Sequence, residues 1–351
     1  MASSTLSDPF LFFAFWTGMA ALALTLLLGA QIVWLRVSLR RAERREKQVI
    51  ARWRPLVTAM LAGEPPAHLP AIRRRDRLVF LKMWIHLHES LRGSATDALN
   101  QMACRLRCDE TALRLLRRRN RAHRLLGILA LGHLRAAAAS ADLLRLSRSG
   151  DSTVSVKALW ALVQIDPAFA AAETMAGLIR REDWPLPQLA GILQEAPEAC
   201  TPALVAVLRE TGGEHLPRAL ALAETLRIAL PPDLARDLLA HPSTEVVIHA
   251  MRVAATPALL DAVRANAAHE DWRVRVQAAK VLGRIGRQED AERLRGLLHD
   301  PQWWVRYRAA QALVALPFMN GDALRALRQD IGDRYARDML AQVMAEKGMA
   351  E

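Results

Sequence analysis

The sequence predicts an all-α protein, an α-solenoid of about seven helical hairpins preceded by one transmembrane helix. Three observations predict it. A short apolar phrase recurs about every 31 residues through the middle and end of the chain, each copy has the spacing of a helix face, and an uncharged stretch of 26 residues, Phe10 to Leu35, lies near the N-terminus. A period in this range signals stacked helical repeats rather than a globular core.

After a short tail, residues 1–9, the uncharged stretch reads FLFFAFWTGMAALALTLLLGAQIVWL. About 20 apolar helical residues cross a bilayer core of roughly 30 Å, so residues 10–35 are long enough to span it with some tilt. Trp16 and Trp34 fall near its ends, where indole rings favour the headgroup boundary. A cleaved secretory signal would want a positively charged leader, and Met1 to Pro9 offers only Asp8. A retained anchor is therefore expected.

Orientation follows from the flank. Arg36, Arg40, Arg41, Arg44, Arg45 and Lys47 crowd the C-terminal side, and basic flanks stay cytoplasmic. The expected topology is single-pass in a plasma (bacterial inner) membrane, N-terminus outside, solenoid in the cytoplasm. Three cysteines, Cys104, Cys108 and Cys200, make a poor disulfide framework, in keeping with that compartment. The net charge of +12 is concentrated here: residues 36–124 hold 22 Lys/Arg against 8 Asp/Glu, whereas the remainder beyond them is near neutral. Anionic headgroups attract such residues by about 1 kcal/mol each near the surface, which makes the juxtamembrane cluster a lipid-contact candidate. A basic stripe is also the footprint of a nucleic-acid binder, but no aromatic interleaving or nucleic-acid motif accompanies this one, and nucleic acid is not expected as a partner.

Residues 36–108 read as a basic juxtamembrane helical region and N-terminal cap. The anchor helix should continue past Leu35 with Leu39, Ala42, Val49 and Trp53 on one side, until Gly63-Glu64-Pro65-Pro66 breaks it. Residues 69–117, including Arg73-Arg74-Arg75 and Arg117-Arg118-Arg119, should hold two or three helices. Cys104 and Cys108, four apart on a helix, would share a face. Zinc wants four ligands, no second pair of that spacing exists, and Arg105 and Arg107 flank the site, so packing thiols are expected and no metal or cofactor.

The repeats occupy residues 109–317. Val274-Arg275-Val276-Gln277-Ala278-Ala279 recurs as Val305-Arg306-Tyr307-Arg308-Ala309-Ala310, with earlier copies at Val154 and Val246 and fainter ones near His123, Leu186 and Leu216. Steps between these anchors run from 28 to 32 residues. Val154, Val246, Val274 and Val305 are followed four residues on by Ala158, Ala250, Ala278 and Ala309, then by Leu162, Ala254, Leu282 and Leu313. That is one stripe of a helix, with a small residue where a neighbour must approach. Lys157, His249, Gln277 and Arg308 mark the solvent side. Pro185 and Pro187 enter where one helix should begin, which a first turn tolerates. The phrase is not found after Pro317, so residues 318–351 read as C-terminal capping helices.

The pattern Asp271-x-x-Val274-Arg275-x-x-Ala278-Ala279-x-x-Leu282-Gly283, with Asp300-Pro301 leading into Val305-Arg306-x-x-Ala309-Ala310, resembles the HEAT-repeat family of the bacterial HEAT-like type. The likeness covers roughly residues 110–317. It implies a binding scaffold rather than an enzyme, and an Asp–Arg ladder between repeats that Asp271, Arg275 and Arg306 would continue; Ser155 and Val247 interrupt it. Two further implications stay open. Some HEAT-like proteins are DNA glycosylases for alkylated bases, whose Trp, Asp and Arg usage is echoed by Asp271, Trp272, Arg273 and Trp303, and others are phycobilin lyases.

No phosphate loop, serine elbow, His-Glu-x-x-His or paired-carboxylate constellation is present, and Glu289, Asp290 and Glu292 read as a solvated face. The suggestive surface feature is aromatic. Trp303 shares its column with Ser152, Thr244 and Trp272, and Trp304 shares its column with Thr153, Glu245 and Arg273, so polar siblings predict exposure. Trp and Arg anchor protein interfaces. Trp272, Arg273, Trp303, Trp304 and Arg308 are the expected partner-binding residues. The partner would be a membrane-associated protein, and the excess of Arg over Lys, 43 to 5, fits a GC-rich bacterium in which an envelope assembly such as surface-glycan synthesis or export is a natural setting.

Overall fold

Helix α1 (Pro9–Leu61) is one run of 53 residues. Its first half buries nothing: the side chains from Phe12 to Leu35 lie exposed, and this is the one helix among the described residues long and apolar enough to cross a membrane. Its second half is amphipathic. Val49, Trp53, Val57 and Met60 are buried at helical spacing, with the Trp53 ring 4.7 Å from Phe80. Leu39 and Ala42, expected on that buried side, are exposed, because burial begins only where the next two helices reach α1. The helix closes at Gly63, whose φ of +79° suits a residue without Cβ, as the Glu64 N–H donates to the Ala59 carbonyl.

The computed structural model describes residues 9–64, 66–210, 213–253 and 255–349. Pro65 of the predicted break, Ala254 of the predicted stripe, nearly all of the N-terminal tail and the last two residues lie outside them. The chain divides into two compact units, residues 1–134 and 135–351.

In the first unit α1 is followed by α2 (Arg77–Ser90), α3 (Ser94–Arg105), α4 (Cys108–Leu116) and α5 (Arg121–His133). The Arg73-Arg74-Arg75 and Arg117-Arg118-Arg119 runs lie in the turns before α2 and after α4, not within helices. Arg107 adopts a left-handed φ of 52° between α3 and α4, so Cys104 and Cys108 sit on different helices and share no face. Cys104 is exposed. Cys108 is buried, and burial, with a smaller contribution from Asp109, pushes its thiol up to about 12. Trp84 Nε1 donates to the Leu99 carbonyl at 2.9 Å, and the Asn100 amide to the His133 carbonyl at 3.0 Å, so α2, α3 and α5 are locked by polar contacts inside an apolar core.

The second unit runs α6 (Ser140–Ser147), α7 (Ser152–Ile165), α8 (Pro167–Arg180), α9 (Leu186–Leu193), α10 (Pro197–Glu210), α11 (Leu216–Leu226), α12 (Pro232–Leu239), α13 (Thr244–Val253), α14 (Leu260–Asn266), α15 (Trp272–Ile285), α16 (Asp290–Leu297), α17 (Trp303–Ala315), α18 (Gly321–Asp330) and α19 (Arg334–Glu346). Consecutive odd-numbered helices from α7 to α19 pack on one another, while α6, α8 and α10, and then α12 and α14, form neighbours of their own. Each anchor position inferred from the sequence falls in the first turn of a helix: 123 in α5, 154 in α7, 186 in α9, 216 in α11, 246 in α13, 274 in α15 and 305 in α17. Val154, Val246, Val274 and Val305 are buried, as are the alanines four residues on. Of the predicted solvent-side positions only Lys157 is fully exposed, while His249, Gln277 and Arg308 are half-buried against neighbouring side chains.

Capping explains where these helices start. Asp151, Asp166 and Asp271 accept backbone N–H groups at the starts of α7, α8 and α15, satisfying donors that have no partner in the first turn. Pro187 lies in the first turn of α9, where its missing N–H costs nothing. Close approach sets Gly283: a Cβ there would stand 2.6 Å from the Ala312 Cα, so α15 and α17 touch backbone to backbone.

The 31-residue step does not end at Pro317. Adding it to Asp271 gives Gln302 and then Asp333, which caps α19 by accepting from the Tyr335 N–H at 2.9 Å. The stripe Val305, Ala309, Leu313 becomes Ala336, Leu340, Met344, and all six are buried. The large and small members have exchanged places, which conceals the phrase in sequence while preserving the filled volume.

Candidate docking surface

The first turn of α17 is aromatic. Trp303 and Trp304 open the helix, and Tyr307 follows one turn after Trp303 on the same side. Trp303 and Tyr307 stack with centroids 5.0 Å apart and planes 13° from parallel, while Trp304 meets Trp303 edge-on at 4.7 Å. Such pairs contribute roughly 0.5–1.5 kcal/mol beyond area burial, so the rings hold one another in place without a covering element. Tyr307 is tied down at its other end, where its hydroxyl donates to Glu346 Oε2 at 2.9 Å, and that bond pushes the phenol above its ordinary range. Arg308 lies 6.0 Å from the Tyr307 ring and donates to Gln311 at 2.6 Å.

Exposure decides how this cluster is read. Trp303 is 42% and Trp304 52% exposed, and Trp272, one period earlier at the start of α15, is 36% exposed. Trp184 occupies the same column as Trp272 and Trp303, yet it is 1% exposed, with its indole N–H on Ser155 Oγ at 3.1 Å and the Arg181 guanidinium 4.4 Å from its ring. The column can therefore bury an indole. At α15 and α17 it does not. Arg273 leans back on Asp271, its Nη2 donating to Oδ2 at 2.6 Å, and this hydrogen bond holds the Asp271 carboxyl below its usual range.

The predicted ladder is built differently from its expectation. Arg275 makes a two-pronged pair with Asp300, Nε to Oδ2 at 2.6 Å and Nη2 to Oδ1 at 3.0 Å, and also donates to the His269 and Glu270 carbonyls. Asp271 is not a rung. It caps its own helix and pairs with Arg273, because Val247 stands where the preceding repeat would supply an arginine. Arg306 repeats the backbone half of the pattern, donating to the Asp300 and Pro301 carbonyls, but the residue 31 after Asp300 is the buried Ile331, and the Arg306 Nε is left without a partner.

One cluster was missed. Asp290, expected on a solvated face, is 1% exposed and accepts from Arg264 Nε at 2.7 Å and from the Arg287 N–H at 2.7 Å, with Glu289 and Asp261 also on Arg264. Burial raises the Asp290 carboxyl, but the hydrogen bonds from Arg264 and Arg287 outweigh it and leave it below its ordinary range. The signal was Arg264, whose partner lies 26 residues on and so belongs to the next repeat.

Arg36, Arg40, Arg41, Arg44, Arg45 and Lys47 all project from α1 as an exposed cationic band. No group of three or more potential metal ligands occurs among the described residues.

Residues 232–314 match the family model of HEAT repeats. The match begins with α12 and ends within α17, so it contains the Arg275–Asp300 rung and the tryptophans. Among solved structures, Kap121p aligns over 84% of this chain and 37% of its own, at 12% identity and a TM-score of 0.50, a likeness of fold alone. The chain is also similar to an engineered protein (19% identity, 82% of this chain and 88% of that one, TM-score 0.38) and to the complex of CpcE and CpcF of phycocyanin lyase from Nostoc (18% identity, 67% and 94%, TM-score 0.28). No curated protein matches the chain.

Proposed function

We propose that this chain is a single-pass membrane protein, N-terminus outside, whose cytoplasmic HEAT-like array of about seven hairpins is a scaffold that docks a membrane-associated protein partner through the aromatic surface of α15 and α17. The observation that carries the reading is the exposure of Trp303 and Trp304 beside a buried sibling, Trp184, in the same column. An indole left in water at a position able to bury one is retained for contact with something else, and a fully desolvated Trp anchor is worth about 2 kcal/mol or more at an interface. Arg308 stands beside the Tyr307 ring, and Arg273, next to Trp272 in sequence, would add a second polar contact. The exposed apolar first half of α1 supports an anchor, and the cationic band behind it supports this orientation. An envelope assembly such as surface-glycan synthesis or export is the setting this architecture fits, and no catalytic step is assigned to the chain.

The test is co-purification from native membranes in mild detergent with C-terminally tagged wild type and a Trp303→Ala/Trp304→Ala variant, compared by quantitative mass spectrometry. A membrane protein retained by wild type and depleted at least tenfold with the variant, at an unchanged melting temperature, supports the reading. Equal recovery from both proteins removes the docking surface.

A further inference from the structure

Where α1 passes the turn leading into α2, the structure forms a small cationic notch of about 70 Å³. Arg45, Gln48 and Arg52 line it from one face of α1, being three and four residues apart. Arg73, Arg75 and Asp76 line it from the opposite side. Its floor is the buried Val49, and one turn on, Trp53 packed on Phe80 fixes the two walls together. The turn is itself closed by the Asp76 N–H donating to the Arg73 carbonyl at 2.9 Å.

Four guanidinium groups face one carboxylate. Asp76 reaches only Arg45, at a loose 3.9 Å, and no other acid lines the notch. Among the described residues Arg52, Arg73 and Arg75 have no carboxylate partner. Folding thus gathers four like charges around one small volume, and planar forked donors lining such a volume are the recognition chemistry of a tetrahedral oxyanion.

The membrane does not supply that anion. Headgroups occupy roughly 5–8 Å beyond each side of the hydrocarbon core. At 1.5 Å per residue, Arg36, Arg40 and Arg41 stand within about 9 Å of Leu35, whereas Arg45 and Arg52 stand about 15 and 26 Å beyond it. Even a 40° tilt, the upper end of the usual range, leaves these last two about 11 and 20 Å out. The cationic band therefore divides. Arg36, Arg40 and Arg41 sit in the headgroup layer, and the notch sits past it in the aqueous phase.

We infer that the notch of Arg45, Arg52, Arg73 and Arg75 is a binding site for a phosphate-bearing anion taken from the aqueous phase. Its position relative to the bilayer rests on α1 being the membrane anchor; the notch itself does not.

The experiment is calorimetric titration of the purified full-length protein with inorganic pyrophosphate, first in non-ionic detergent and then in nanodiscs of phosphatidylcholine alone or with phosphatidylglycerol. Wild type should bind one pyrophosphate saturably, Arg52→Gln/Arg73→Gln should weaken binding at least tenfold with unchanged melting, and Arg36→Gln/Arg40→Gln should leave it unchanged. Affinity should be the same in both nanodiscs. Absence of saturable binding in detergent, or equal binding by Arg52→Gln/Arg73→Gln, overturns the site whatever the fate of the anchor. Binding in detergent and neutral nanodiscs that phosphatidylglycerol competes away overturns the aqueous source and returns the notch to lipid. If the double variant misfolds, the same loss is read from Arg73→Gln alone.

Discussion

Asp300→Ala should loosen the contact between α15 and α17. The Asp300 carboxylate accepts two bonds from Arg275 and one from the Gln302 N–H at 2.9 Å, and the paired side chains are only 14% and 6% exposed. Deleting one partner of a buried ion pair costs about 3–5 kcal/mol, because the remaining charge is left desolvated. Arg275 keeps two backbone carbonyls at 2.8 Å, which places the expected cost at the lower end, about 3 kcal/mol. In a repeat array that cost is local, since each unit answers mainly to its neighbours. Amide exchange measured by mass spectrometry on the full chain should therefore quicken about 100-fold in peptides from α15 and α17, and remain unchanged in α7. Arg275→Met added to Asp300→Ala should recover most of the protection, as replacing both charges with apolar atoms is close to neutral. Acceleration below about fivefold, or a double variant worse than the single one, would show that the pair is not the rung joining these helices.

Three further outcomes follow from individual contacts. Gly283→Ala should destabilise the same junction by roughly 1–3 kcal/mol, because its Cβ would meet Ala312 backbone that cannot swing aside; an unchanged exchange rate in α15 contradicts the backbone contact. The folded-state carboxyl of Asp290 lies below its unfolded value, so its stabilisation is present above pH ~4 and is lost as pH falls through the folded value. Asp290→Asn should accordingly weaken α14 to α16 at neutral pH and flatten the acid dependence of exchange there, and a variant with the wild-type acid profile would refute it. A maleimide at neutral pH should label Cys104 in the native protein and Cys108 only after unfolding, since burial both hides the Cys108 thiol and lifts it to about 12.

The helical array was legible in sequence because its signal is repeated: Val and Ala four apart need no partner information to be recognised. What stayed hidden was relational. The swap of Val305 and Ala309 for Ala336 and Leu340 preserves the filled space but destroys the phrase, so α19 carries no recognisable copy of it. Asp290 looked like one of several surface acids until Arg264, one repeat earlier, was brought against it. Cys104 and Cys108 were read on one helix because a left-handed Arg107 has no sequence signature comparable to glycine or asparagine. The tryptophans are the intermediate case. Their columns were recognised, but whether such a column buries or exposes its indole depends on the residue facing it from the preceding repeat: Ser155 gives Trp184 an acceptor, whereas its counterpart before Trp303 is Arg275, which is engaged with Asp300.

That last contrast links fold to function. A residue kept at one repeat position recurs once per helix pair, so small changes in the core behind a column alter what the surface presents. Where the ladder residue is Ser155, the indole of the following repeat turns inward and joins the core. Where it is Arg275, the guanidinium bonds Asp300 and the preceding carbonyls, and Trp303 of the following repeat remains outside. The residue that builds the rung thus stands where Ser155 offers Trp184 an acceptor, and Trp303 has none there. In a closed globule that would be a defect to be removed. In a repeat array it gives α17 a stacked aromatic first turn beside the very contact that joins it to α15.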